Sequence, residues 1–322
     1  MKKRPWILPT LALIPIVLVC IYPFVWMFFS SFKSNNEIYK PMQLLPAERT
    51  FDTQHFEQLM SWHKAEADVL KSEAAAIRDQ TDGLARDSDT FRALIDDADV
   101  VETQALALTR ADLFDFKTVF RNSLIVASLQ ALGAVLLCVS AGFVFAKYTF
   151  RFKTLLFGLA LFVILIPRQV IALPLSEWLI RLAMYDSLWA VILPGTVSGI
   201  GLLFFMKIFR HVPNALLDMA RLEGASEVGV FFTVLPLVKS SLLTFAFLQF
   251  TMAWHEHLMP LLMLASDNQT LPLALSSLLS SSLRFPRAVV MAGGCFTLIP
   301  TLVLFVFLYR QVKSSLSDLV LH

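Results

Sequence analysis

Six stretches of nearly uninterrupted apolar residues run along the chain, and polar segments separate them. Because about 20 helical residues cross a hydrocarbon core of about 30 Å, each stretch is long enough to span a membrane. The pattern therefore predicts an all-α, polytopic membrane protein. The predicted spans are residues 7–29, 123–146, 154–175, 188–206, 235–264 and 288–309.

The long polar segment at residues 52–116 carries two amphipathic patterns in place of a span. Apolar residues that recur three and four positions apart indicate one apolar stripe on each of two helices, which Thr81-Asp82-Gly83 separates. The segment therefore predicts a helical hairpin, with its first helix at residues 56–79. The two stripes either pack on each other or form a docking surface for a partner. They consist of Leu59, Trp62, Leu70, Ala74 and Ile77, and of Phe91, Leu94, Ala98, Val101, Ala105 and Leu108.

Composition agrees with a membrane protein and narrows the chemistry. Hydrophobic residues make up 57% of the 322 residues, and the mean hydropathy is +0.66. Cys20, Cys138 and Cys295 stand singly in apolar runs, so they are expected to pack as small hydrophobic residues. No G-x-x-x-x-G-K-[ST] phosphate loop occurs, which excludes that mode of ATP binding.

Lysine and arginine in the short loops predict the orientation. If the N-terminus is cytoplasmic, the inner segments carry twelve basic residues, and the short outer loops carry only Arg181, Arg284 and Arg287. The positive-inside rule then predicts that both termini lie in the cytoplasm. The predicted domains are residues 1–51 (cytoplasmic tip, first span and start of the outer loop), 52–116 (extracytoplasmic insertion), 117–310 (core transmembrane domain) and 311–322 (cytoplasmic tail).

A polar helix-turn-helix is predicted in the inner loop at residues 211–235. Pro213 suits the first turn of a helix, Gly224 can adopt the left-handed conformation that ends one, and Ser226 can cap the next. Apolar residues on this motif have no span of their own to fill, so they are expected to meet a partner. They are Leu216, Met219, Ala220, Leu222, Ala225 and Val228.

Three ionisable residues fall at membrane depth: Arg168 in the third span, and His255 and Glu256 in the fifth. Such a group costs about 2.5 to 3.5 kcal/mol on insertion scales, so it should face a partner or a polar pathway. Arg168 could equally snorkel to the outer interface or pair within the bundle. For His255 and Glu256 a pathway is favoured, because they interrupt a long span ahead of Pro260.

The same segment, His255-Glu256-His257, looks superficially like a metal cluster. Residues two apart on a helix point to nearly opposite sides, and the H-E-x-x-H motif is absent. We therefore expect no metal site. We also expect no catalytic residue and no cofactor.

Several motifs resemble the permease subunits of binding-protein-dependent ATP-binding-cassette importers of the carbohydrate class. Asp218-Met219-Ala220, Gly224 and Leu235-Pro236 are similar to the E-A-A, G and L-P elements of the family's cytoplasmic loop. Residues 221–227 are close to its form R-I-D-G-A-S-E. Further matches are Tyr22-Pro23-Phe24, Ser30-Ser31-Phe32-Lys33, Arg121-Asn122-Ser123-Leu124-Ile125-Val126, Ile166-Pro167, Gln169-Val170, and Trp254 with Pro260-Leu261-Leu262.

The resemblance implies the type I importer permease fold and a non-catalytic role in alternating-access import of a sugar or sugar derivative. The implied partners are a homologous second permease, two cytoplasmic ATP-binding subunits and an extracytoplasmic solute-binding protein, with membrane lipid around the spans and no nucleic acid. The residues that would couple the chain to the ATPase are Asp218, Met219, Ala220, Leu222, Glu223, Gly224 and Ala225.

The chain departs from the family at three places. An Asn-Asp pair usually follows the tryptophan of the fifth span, where this chain has His255 and Glu256. The spacing from Gly224 to Leu235-Pro236 is one residue shorter, and the segment at residues 52–116 is much longer. The residues expected to line a substrate pathway are Arg168, Gln169, Trp254, His255 and Glu256. The alternatives are an exporter or channel-like protein, and a membrane scaffold or sensor, each working without a binding protein.

Overall fold

A computed structural model describes residues 7–33, 35–38, 45–46, 51, 53–81, 89–110, 115–265, 268–280 and 287–320. Within these ranges all regular structure is helical, which confirms the predicted all-α class. The helices are α1 (Ile7–Ser30), α2 (Asn35–Ile38), α3 (Gln54–Asp79), α4 (Asp89–Arg110), α5 (Phe116–Lys147), α6 (Lys153–Leu165), α7 (Arg168–Arg181), α8 (Leu188–Gly195), α9 (Gly199–His211), α10 (Asn214–Leu222), α11 (Glu227–Val234), α12 (Lys239–Trp254), α13 (Leu258–Met263), α14 (Leu271–Ser280) and α15 (Arg287–Val320).

Some sequence expectations fall outside the described residues. They concern the basic tip with Lys2, Lys3 and Arg4, the Asp82-Gly83 break of the hairpin, and Arg284. The side chains of Trp62, Ala105, Leu108 and Arg310 likewise lie outside the description.

The chain forms two compact units, one of residues 1–117 with 274–299 and one of residues 118–273 with 300–322. In the first unit α3 and α4 pack side by side, and Leu59, Ala74 and Ala98 are buried. Arg78 of α3 lies 2.8 Å from Asp99 and 2.6 Å from Glu102 of α4. The stripes of the hairpin therefore pack on each other, which is the first of the two predicted alternatives.

Among the described residues, five helical stretches are long and apolar enough to cross a membrane, and a sixth is obtained if one bent helix pair counts as a span. That pair, α6 and α7, corresponds to the third predicted span and meets at 104°. A single helix over residues 154–175 was therefore the wrong prediction. Ile166 precedes Pro167 and is extended, with φ −82° and ψ 123°, because the proline ring disfavours helical geometry in the residue before it.

Two other predicted spans are interrupted. The fourth breaks between α8 and α9, where the Ser198 hydroxyl accepts a hydrogen bond from the Gly201 N–H at 3.1 Å and so caps α9. The fifth breaks after Trp254 and resumes at Leu258, which confirms the predicted interruption. The helical segment that contains the fifth span also starts before residue 235, because α11 passes through the 3₁₀ turn Leu235–Val238 into α12.

The loops of the second unit lie at its two ends. At one end Asp186 accepts a hydrogen bond from the Ala265 N–H at 2.9 Å, and the Ser123 hydroxyl accepts one from the Leu271 N–H at 2.6 Å. At the other end Lys147, the last residue of α5, donates to the Val212 carbonyl at 2.5 Å. Helix α5 therefore runs the length of this unit and contacts the loops at both ends.

Candidate functional site: the knuckle and the bundle cavity

Helices α10 and α11 form a tight helix-turn-helix, which we call the knuckle (residues 214–234). Gly224 has φ +89°, the left-handed conformation that the sequence predicts. The Ser226 hydroxyl accepts a hydrogen bond from the Gly229 N–H at 3.2 Å, which confirms its predicted capping role. Pro213 lies one position earlier than expected, at the N-cap of α10.

The knuckle has an outer face and an inner face. On the outer face Met219, Leu222 and Val228 are exposed, Leu222 at 89% of its surface. On the inner face Ala220 is only 5% exposed, and together with Ala225 it packs into an apolar cluster. Those two alanines therefore differ from the expectation that they belong to the free apolar surface.

The charged residues of the knuckle bind one another. Arg221 donates two hydrogen bonds to the Glu227 carboxylate, each at 3.1 Å, and one to Asp218 at 3.0 Å. Hydrogen bonding to Glu227 raises the pKa of the Arg221 guanidinium, so Arg221 stays charged. The Tyr148 hydroxyl also donates to Glu227, and the pKa of Tyr148 is raised, first by burial and then by this hydrogen bond.

A cavity of about 280 Å³ lies within the second unit. The bend before α7 and the break after α12 bring Arg168 and Glu256 into its wall. The Arg168 Nη1 lies 3.8 Å from the Glu256 Oε2, with Arg168 half exposed and Glu256 22% exposed. Arg168 thus pairs within the bundle, and the pair also borders a space that can hold a ligand.

Gln130 of α5 also lines this cavity and was not among the predicted pathway residues. Its side chain is 2% exposed, and its Oε1 has no hydrogen-bond partner among the described residues. A buried acceptor without a donor is uncommon in folded proteins, so it marks a position where a ligand could donate. The available signal was a lone glutamine inside a membrane-length apolar run.

The other predicted pathway residues do not line the cavity. Trp254 is 1% exposed and stacks on Phe250, with ring centroids 5.9 Å apart, while Phe120 meets it edge-on at 5.6 Å. Gln169 and His255 are exposed outside the cavity wall. Across the described ranges, no three His, Cys, Asp or Glu side chains are grouped so that they could hold a metal ion.

Residues 113–317 match the family described as the binding-protein-dependent transport system inner membrane component. The chain is 33% identical to the arabinooligosaccharides transport system permease protein AraQ of Halalkalibacterium halodurans, over 62% of this chain and 72% of that protein. It is 27% identical to the sn-glycerol-3-phosphate transport system permease protein UgpE of Pectobacterium atrosepticum, over 63% and 73%.

A solved structure shares the fold. It is the crystal structure of a bacterial ABC transporter involved in the import of the acidic polysaccharide alginate, and it matches with a TM-score of 0.67 at 15% identity. The match covers 94% of this chain and 95% of that one. Because the family match spans more than half of the chain, and the fold agrees with it, the chain belongs to the inner membrane components of binding-protein-dependent transport systems and is a multi-pass permease subunit of an ABC importer.

Proposed function

We propose that this chain carries a sugar or sugar derivative inward across the cytoplasmic membrane by alternating access, and that separate ATPase subunits drive it. The similar permeases are named for arabinooligosaccharides, sn-glycerol-3-phosphate and sulfoquinovosyl glycerol, all of which are polyhydroxylated or derived from such compounds. The observation that carries the proposal is the knuckle, whose outer face is apolar and unpacked within this chain.

The knuckle would seat in a cleft of an ATPase subunit. Met219, Leu222 and Val228 would enter the cleft, because exposed apolar side chains gain free energy when a partner covers them. Gly224 would keep the turn tight, and Glu223 at the edge is exposed and available for polar contact. Asp218, Ala220 and Ala225 would act from within the knuckle, since Asp218 binds Arg221 and the alanines face the core.

The cavity would form part of the solute path. The Arg168–Glu256 pair and the unpartnered Gln130 carbonyl offer both donors and acceptors, which suits a solute rich in hydroxyl groups. His255 and Gln169, exposed outside the cavity wall, remain candidates for the path on the surface that a second permease would cover. Trp254 would support the wall from inside the core.

The assembly would contain a homologous second permease, two cytoplasmic ATPase subunits and an extracytoplasmic solute-binding protein. With both termini in the cytoplasm, the knuckle faces the ATPase and the α3–α4 hairpin lies outside. The excess of basic residues in the inner segments supports this orientation.

Purification of the complex followed by mass spectrometry of the solute retained on the binding protein tests the substrate class. Cross-linking tests the knuckle, in a background without Cys20, Cys138 and Cys295. Leu222→Cys should cross-link to an ATPase subunit, whereas Leu182→Cys, exposed in the loop after α7, should not. Uptake that needs neither the ATPase nor the binding protein would favour the channel-like alternative.

A further inference from the structure

A continuous set of hydrogen bonds joins the end of α5 to both helices of the knuckle. Tyr148 follows α5 directly, and its hydroxyl donates to the Glu227 carboxylate at the start of α11. The same carboxylate accepts both bonds from Arg221 of α10. We propose that Tyr148, Glu227 and Arg221 form a latch that transmits displacement of the knuckle to α5, an inference that rests on the proposed ATP-driven import.

The latch constrains the orientation of the two knuckle helices relative to each other. A guanidinium presents parallel N–H groups in a rigid fork that matches the two carboxylate oxygens, so the Arg221–Glu227 pair fixes the angle between α10 and α11. Asp218 accepts a further bond from Arg221 and holds the guanidinium in place. Tyr148 ties this helix pair to α5 through its hydroxyl, beside the hydrogen bond that Lys147 donates to Asn214 of α10 at 2.9 Å.

Apolar packing alone would not fix that orientation. Beneath the latch, the Phe143 ring of α5 contacts Phe231 of α11 and Phe209 of α9, with centroids 5.2 Å apart in each case. Burial of apolar surface is non-directional, so it holds the knuckle against α5 without fixing its rotation. The Arg221–Glu227 pair is exposed, whereas Tyr148 is half-buried, and exposed ion pairs contribute little to stability. Their role is therefore one of positioning.

Helix α5 leads from the latch to the cavity. Along the way its Cys138 thiol donates to the Ser198 carbonyl at 3.3 Å, and Gly133 lies against Thr196, both at the break between α8 and α9. Gln130, one turn further, lines the cavity. A shift of α5 would thus alter both the α8–α9 break and the cavity wall in one movement.

The test removes single polar groups from the latch. Tyr148→Phe deletes only the hydroxyl, and Glu227→Gln keeps the shape but removes the charge. Tyr185→Phe, an exposed tyrosine in the loop after α7, is the matched control. In liposomes that contain the full complex, we expect the two latch variants to bind the ATPase normally and to hydrolyse ATP. The solute moved per ATP should fall about 2- to 30-fold, as for an element that couples two sites.

An unchanged ratio of solute moved to ATP hydrolysed in both latch variants would overturn the proposal. Loss of ATPase binding would overturn it too, because these residues would then belong to the ATPase-binding surface. Amide hydrogen exchange of the purified chain gives a second readout that does not depend on transport. Exchange in α11 should increase in Tyr148→Phe and not in Tyr185→Phe, and equal exchange would overturn the latch. Absence of ATP-driven uptake in the unmodified complex would instead reject the proposed function.

Discussion

The backbone of Gly195 lies directly against the side-chain amide of Gln130. A Cβ on Gly195 would come within 2.1 Å of the amide carbon, far closer than van der Waals contact allows. The Gly195 carbonyl in turn accepts a hydrogen bond from Gln249 at 3.0 Å. The end of α8 therefore positions the Gln130 acceptor that lines the cavity, and it can do so only without a side chain.

Replacement of Gly195 by alanine should displace the Gln130 amide. Because the amide is the far end of a flexible side chain, we expect only a modest loss of stability but a raised apparent KM for solute uptake. Gly158→Ala is the control, since Gly158 is also helical and has open space at its Cβ position. Equal KM values in the two variants would contradict the assignment of Gln130 to the solute path.

Gly142→Ala should instead lower the stability of the fold. A Cβ there would lie 2.5 Å from the Phe205 Cβ and 2.9 Å from the Met206 backbone nitrogen, so helices α5 and α9 must separate. Overpacking of this kind costs about 1–3 kcal/mol. The melting temperature in detergent should fall relative to Gly158→Ala, and a melting temperature equal to that of the control would show that the two helices adjust without cost.

Hydropathy predicted the spans because a helix in lipid must satisfy its backbone internally and present apolar side chains. It did not predict the 104° bend between α6 and α7, although Pro167 marks the place, since a proline in a span either kinks or ends a helix according to its neighbours. Tertiary contacts decide between these outcomes.

The knuckle and the cavity also differ in how far the sequence alone predicts them. The knuckle was predictable because its turn is local: Gly224 ends one helix and Ser226 caps the next within three residues. The cavity was predictable only in part, because Gln130, Arg168 and Glu256 come from helices far apart in sequence. Trp254 was placed on the pathway from its motif, whereas packing puts it in the core.

Gly224 offers a test that separates backbone conformation from charge. Its φ of +89° disfavours side chains, but its Cβ position has open space, and asparagine tolerates left-handed geometry better than most residues. Gly224→Asn should therefore keep most ATP-dependent uptake. Gly224→Asp should abolish uptake while membrane insertion persists, because a charge would enter the apolar dock. Equal uptake by the two variants would argue against an apolar ATPase cleft.

Trp254→Phe should reduce stability and spare solute binding. The indole is fully enclosed between Phe250 and Phe120, so a smaller ring leaves a void in the core. We expect a lower melting temperature and an unchanged KM in the folded fraction. Glu256→Gln, which removes the partner charge of Arg168 at the cavity, should instead raise the KM and leave the melting temperature unchanged. A raised KM for Trp254→Phe would return this residue to the pathway.

The latch should be insensitive to pH across the physiological range. Burial and the hydrogen bond to Glu227 raise the pKa of Tyr148 above its usual value of about 10. A raised pKa means that the neutral hydroxyl stabilises the folded state fully below about pH 10, and that this contribution is lost as the pH rises through the folded-state pKa.

The ultraviolet absorbance of tyrosinate measures this titration. The difference between the unmodified chain and Tyr148→Phe should appear only above about pH 10. The solute moved per ATP should stay constant from about pH 6 to pH 9 as far as Tyr148 is concerned. A Tyr148 titration at or below the usual tyrosine value of about 10 would contradict both its burial and its hydrogen bond to Glu227.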